Sequence, residues 1–261
     1  MAVSIYEINR MPEKERERLL SALIPTRFLK MFSIDPETWA NPAGERCVKI
    51  TCSEGMPFFQ IDLRRDPADR DAAYFLDISA SPNEQMEIAF IIVNDPDGER
   101  FDIDVDEHGQ DTYFGTARRN LPEEIRAMEA GLAPAQVRRG LRAMGDLIAC
   151  WDEFFLRTGF KRYFLEPLSY NSAILYERGG FQYAQGKEKM EYIDREFHPG
   201  GILHARLDGS TPFRKPEHCK TVRGRSWAIH DGILDQPWEG PKMYKTVGAH
   251  GGVCTFNGEI Y

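Results

Sequence analysis

The chain of 261 residues has no long apolar run. Its most conspicuous one, Ala89-Phe90-Ile91-Ile92-Val93, falls far short of the roughly 20 residues that cross a bilayer. Positive charge is also in deficit: 33 Lys and Arg stand against 41 Asp and Glu, for a net charge of −8. No general attraction to phosphate backbones or anionic lipid is built in, so neither nucleic acid nor a membrane is an expected partner. Cysteine is sparse and unpatterned. Cys47, Cys52, Cys150, Cys219 and Cys254 form no Cys-x-x-Cys pair, which suits reduced thiols rather than a disulfide framework. Cys150, inside an apolar helical stretch, reads as a small buried hydrophobe. The N-terminus lacks the basic end, apolar stretch and small-residue site of a signal peptide, and a cytoplasmic protein is expected. Internal repeats and low-complexity tracts are missing too. What remains, 42% apolar and 28% charged, is ordinary globular composition.

Alternation over residues 3–8 predicts a first strand, and the pattern from Pro12 to Ile24 an amphipathic helix. A second helix is expected after Pro25 through Phe28, Leu29 and Met31, ending near Pro36 before a loop over residues 35–45. Short β-branched and aromatic segments at 47–52, 57–64, 73–79, 86–94 and 101–106 predict an antiparallel meander. In the last of these, Phe101-Asp102-Ile103-Asp104-Val105-Asp106, strict alternation places three aspartates on one face. Asp106, Glu107 and His108 are consecutive, point to opposite faces of a strand and cannot converge on one ion, so no metal is expected there.

Helical patterning resumes at Asn120, which with Glu123 has capping-box spacing, and is expected to stop near Gly131. A helix over 137–157 follows, with Val137, Leu141, Met144, Ile148, Trp151 and Phe155 on one stripe. Next come a strand at Tyr163–Leu165, a helix over Ser169–Arg178 closed by Gly179-Gly180, and a strand from Phe181 to Tyr183. The fold class expected is mixed α/β, a largely antiparallel sheet flanked by helices, with residues 1–197 as one domain and 198–261 as a C-terminal extension packed on it.

The stretch Leu165-Glu166-Pro167-Leu168-Ser169-Tyr170-Asn171-Ser172-Ala173-Ile174-Leu175-Tyr176-Glu177-Arg178-Gly179-Gly180-Phe181 resembles the closing motif of the GNAT acyltransferase superfamily. The resemblance implies transfer of an acyl group from acetyl-CoA, another acyl-CoA or an acyl-carrier thioester to an amine, with Tyr176 protonating the departing thiolate. A phenol stays protonated at neutral pH, which suits that task. The family's helix-opening Asn falls on Ser169, which can cap a helix equally well. The family also cradles the CoA pyrophosphate with a Gln/Arg-x-x-Gly-x-Gly/Ala loop at the start of its central helix. Here Gln136 stands one residue too far from Gly140, and Arg142 takes a glycine position. Charge then substitutes for glycine: Arg138, Arg139 and Arg142, with Gly140, are the expected phosphate contacts, within a cluster that includes Arg118, Arg119 and Arg126. The family's base is a carboxylate on the strand before the central helix, and Asp104 and Asp106 are nearest.

Expected partners are thus a small-molecule amine or an acyl-carrier protein, with room for a homodimer. Two other readings stand beside this one. The fold could serve as a binding module without CoA chemistry. Alternatively, a metal-dependent enzyme could use the C-terminal His198, His204, His218, His230, His250, Cys219 and Cys254, although no spacing there matches a zinc signature. His230-Asp231, beside Trp227, could instead line an acceptor pocket.

Overall fold

The computed structural model describes residues 2–81, 85–113, 115 and 118–258. It is mixed α/β, with a largely antiparallel seven-stranded sheet flanked by helices. No helix among the described residues is long and apolar enough to cross a membrane. The chain forms two compact units interleaved in sequence: Met1–Gly98, Gly140–Leu165 and Tyr244–His250 make the first, and Glu99–Arg139, Glu166–Met243 and Gly251–Tyr261 the second.

The first unit opens with helices, not a strand. α1 (Ile5–Arg10) replaces the strand expected at 3–8 because Ser4 and Glu7 close a reciprocal capping box. Glu7 N–H donates to Ser4 Oγ at 3.3 Å, and Ser4 N–H donates to Glu7 Oε2 at 2.7 Å. Satisfying orphan amides at both ends of that turn outweighs weak alternation. α2 (Glu13–Leu20) and α3 (Thr26–Met31) follow. The meander then runs β1 (Val48–Thr51), β2 (Phe58–Leu63), β3 (Tyr74–Ala80) and β4 (Met86–Val93), each antiparallel to the one before. Period-two burial is clean on β2 and on most of β3, where Phe59, Ile61 and Leu63 sit opposite Ile78, Leu76 and Tyr74.

That apolar face takes α5 (Met144–Arg157), whose Leu147, Trp151, Phe154 and Phe155 are buried at helical spacing. Phe154 meets Phe59 edge-on with ring centroids 6.0 Å apart. β5 (Arg162–Leu165) lies parallel to β4, and β7 (Met243–Thr246) is next in order. The helix expected over 137–157 is therefore shorter. Residues 137–143 are irregular, because Arg142 sits at φ +53° and Phe101 N–H takes Val137 O at 2.9 Å.

The second unit holds α4 (Leu121–Glu129), α6 (Tyr170–Arg178), β6 (Gln182–Tyr183), α7 (Lys187–Glu196), α8 (Ile202–Ala205) and α9 (Val222–His230). After β6, the N–H groups of Ala184 and Gln185 both donate to Lys242 O, at 2.8 and 3.1 Å. Its core gathers Phe101, Ile103, Ala127, Leu132, Phe213 and Trp227. The segment 101–106 is not the fifth meander strand. Phe101 and Ile103 are buried as alternation required, yet the chain turns back at Asp106, leaving a single bridge between Val105 and Asp111. The expected capping box at Asn120 is absent as well: the Asn120 amide donates to Asp102 O and Val105 O at 3.0 and 2.9 Å, and Glu123 accepts from Asp102 N–H.

Candidate functional site

In the first unit the parallel strands β4 and β5 pair at two positions only, Glu87 with Phe164 and Ile88 with Leu165. Immediately beyond, the β3–β4 register shifts: Ile78 faces Ile88 but Asp77 faces Phe90, leaving Ala89 as the extra, exposed residue. A bulge bends its strand and increases the local twist, and it sits where β4 and β5 stop pairing. β4 continues to Val93 with Phe90, Ile91, Ile92 and Val93 only half-buried. The loop into α5 is pressed against this end: a Cβ on Gly140 would lie 3.3 Å from Val93 O. Arg27 of α3 clamps that loop, donating to Leu141 O at 3.2 Å and to Asp146 at 3.1 Å. Arg142, exposed, holds the left-handed conformation that glycine prefers.

α5 starts without a side-chain cap, since Ala143 occupies its N-cap position. A Cβ on Gly145, in the first turn, would meet nothing within 4 Å. An uncapped helix start with open space beside its amides suits an anion.

In the second unit Ser169 caps α6 as expected, its Oγ accepting from Ser172 N–H at 3.2 Å. The far end stops on two interlocking bonds, Phe181 N–H to Tyr176 O at 3.0 Å and Gly180 N–H to Glu177 O at 2.9 Å, with Gly180 at φ +90°. Such a glycine stop brings the residues at its two ends into apolar contact. Here they are Tyr176 and Phe181, with ring centroids 5.2 Å apart. The spacing of Tyr176, Gly180 and Phe181 in the motif is thus that of a helix terminator. Tyr176 is 6% exposed, and burial raises its phenol well above the ordinary value, keeping it protonated.

The two candidate carboxylates are engaged. Asp104 pairs with Arg100 at 2.6 Å, leaving Oδ1 buried without a hydrogen-bond partner. Asp106 accepts from Gln110 N–H and His108 N–H, both at 2.9 Å, and from Arg118 at 3.1 Å. The Gln110 amide foremost, then the His108 amide and the Arg118 guanidinium, hold its pKa below the usual aspartate value against its partial burial.

The arginines divide in the same way. Arg126 bonds to Glu99 and Glu123 at 2.6 and 2.5 Å, and Arg139 donates to Ala130 O at 3.1 Å. Arg119 bridges Glu124 and Asp231, the latter at 2.8 Å. The sequence did not reveal the network this bridge belongs to. Asp231 also accepts from Thr211 at 2.8 Å and Arg214 at 2.9 Å, while His230 Nε2 lies 3.3 Å from Glu124 Oε1. Burial alone would raise both acids. The hydrogen bonds from Arg119, Thr211 and Arg214 pull Asp231 below its ordinary value, and those from His230 and Arg119 do the same for Glu124.

Of the C-terminal histidines and cysteines, His218, His198 and Cys254 each have a local partner. His218 Nδ1 lies 2.8 Å from Phe213 O, His198 sits 3.6 Å from Asp194, and Cys254 Sγ is 3.2 Å from Phe256 O. Among the described residues no group of three or more His, Cys, Asp or Glu is placed to hold a metal ion. Cys150 is raised by burial to about 11, which keeps it a thiol. Comparison with family models, with curated proteins and with solved structures gave no match.

Proposed function

We propose that the chain is a GNAT-like acyltransferase moving an acyl group from an acyl-CoA to an amine. The observation that carries this reading is that the parallel pairing of β4 with β5 stops at Ile88 and at Leu165, the last residue of β5, beside the bulge at Ala89. Ligands of open α/β sheets bind outside the carboxyl ends of parallel strands, where neighbouring strands part. The bare start of α5 adds an anion site there, and the half-buried alternate residues at the end of β4, Phe90 with Ile92 on one face and Ile91 with Val93 on the other, add apolar surface, which together suit a long thioester with a phosphate end.

The start of α5 at Met144 also supports a different register for the phosphate loop. Counted from Arg139, the Arg-x-x-Gly-x-Gly/Ala pattern puts its first glycine on Arg142, which holds the left-handed conformation a glycine would take, and its last small residue on Met144, the first residue of α5. Gly140, Arg142 and the amides of Met144 and Gly145 are then the candidate phosphate contacts, with Arg138 and Arg139 beside them in sequence.

Tyr176, held neutral by burial, is the candidate acid for the thiolate. Asp104, with its unpartnered Oδ1, is favoured over Asp106 as the base. Because the arginines at 119 and 126 are engaged by the chain's own acids, a CoA donor fits better than docking of an acidic carrier protein.

Calorimetric titration with acetyl-CoA and a longer acyl-CoA tests the reading. Saturable binding that weakens about tenfold in Arg142→Ala, the loss of one charge-assisted contact, is the expected result. Absence of binding to either donor would overturn it and leave the fold as a binding module.

A further inference from the structure

Glu177, next to Tyr176 on α6, is 1% exposed. Its carboxylate accepts from three donors: Tyr183 O–H and Thr255 Oγ1 on Oε1, the latter at 2.5 Å, and Thr255 N–H on Oε2 at 2.8 Å. A buried carboxylate needs such donors to replace its lost water, and two of these three belong to Thr255. The segment around Thr255 is attached to α6 and its surroundings at further points. Gly251 N–H donates to Gly180 O at 3.0 Å, and Arg178 donates to Gly258 O at 2.9 Å. The Phe256 ring lies 4.6 Å from the Arg225 guanidinium, which is buried and bonded to Asp194 at 2.6 Å and Cys219 O at 2.7 Å. The approach is close: a Cβ on Gly251 would fall 2.2 Å from Gln182 Cγ.

We infer that Glu177 is a positioning residue for Tyr176 and that residues 251–258 are the strap that holds it. Anchoring Glu177 from the strap fixes the rotation of α6 about its own axis, and so sets the neighbouring Tyr176 ring against Phe181. The catalytic consequence rests on the reading of Tyr176 as the acid.

The test uses the full chain with 3-fluorotyrosine incorporated, the Tyr176 ¹⁹F resonance being identified by its loss in Tyr176→Phe. Thr255→Val keeps the side-chain shape and removes one donor. It should shift the Tyr176 resonance and lower kcat for transfer about tenfold with KM for the acyl donor unchanged, and Thr255→Ser should restore both. Tyr183→Phe, which removes a donor but leaves the strap, should shift the resonance less. If Thr255→Val does not fold, Phe256→Leu loosens the strap through Arg225 alone and is read the same way. An unmoved Tyr176 resonance overturns the inference. Failure of the wild-type chain to bind acetyl-CoA overturns only the proposed function, since the resonance still decides whether the strap places Tyr176.

Discussion

Two helices follow the parallel strands, and they begin in opposite ways. α6 opens on Ser169, whose hydroxyl occupies a first-turn amide. α5 opens on Ala143, with Gly145 exposed in its first turn and its preceding loop held by Arg27 instead of by a cap. Both nevertheless end alike. Gly159 and Gly180 take left-handed conformations, and Phe160 N–H to Phe155 O at 2.8 Å mirrors the bond from Phe181 to Tyr176. A helix start is a choice between local stability and donors kept for something else, whereas a helix end of this kind serves only to stop. The same contrast separates Arg119, engaged on two buried acids, from exposed Arg142.

The contrast breaks most visibly if the second unit's charges are not the structural group their burial suggests. Asp231→Ala, which strips a partner from both Arg119 and Arg214, should cost about 3 kcal/mol or more by denaturant unfolding. Because Glu124 and Asp231 are held below their ordinary values of 4.5 and 3.8, their contribution is complete above those values. It should be lost as pH falls through the lower folded values, so acid unfolding followed by circular dichroism should begin below about pH 4 and shift in Glu124→Gln.

A smaller effect sharpens the α5 side. Gly145→Glu, placing a carboxylate beside the bare amides, should weaken acetyl-CoA about tenfold, near 1.4 kcal/mol, without lowering the melting temperature. On the α6 side, Ser169→Ala should cost about 1 kcal/mol of stability with donor binding preserved. Arg126→Ala, whose ion pairs are solvent-exposed, should leave the melting temperature unchanged.

Much of the meander could be read from the chain because β-branched runs and turn residues act locally, and Ser169 and Gly179-Gly180 marked α6 for the same reason. Errors arose where two local signals competed. At residues 3–8 alternation lost to the Ser4–Glu7 box, and at 101–106 it survived as burial of Phe101 and Ile103 without strand pairing. At 137–143 the spacing of Val137 and Leu141 suggested a helix that Arg142, at positive φ, does not join. The network around Asp231 was illegible for another reason. Its bond to Arg119 spans 112 positions and the bond of His230 to Glu124 spans 106, and periodicity carries no information over such distances. Tyr176 was visible as a motif residue, but the sequence alone did not show that its spacing to Phe181 is that of a helix stop.

The contact of Gly140 with Val93 has a consequence for how the chain tolerates rearrangement. It brings the two ends of the excursion between them together, so the backbone leaves the sheet and returns at almost the same point. Ring closure is already achieved there, and the entropic cost of shortening or lengthening the excursion grows only slowly with its length. For the junction of β4 and α5 the length of this excursion is a weak constraint, whereas its residues are fixed by contacts of their own, Asn94 with Ala72 and Ala73, and Phe101 and Ile103 in the second unit's core.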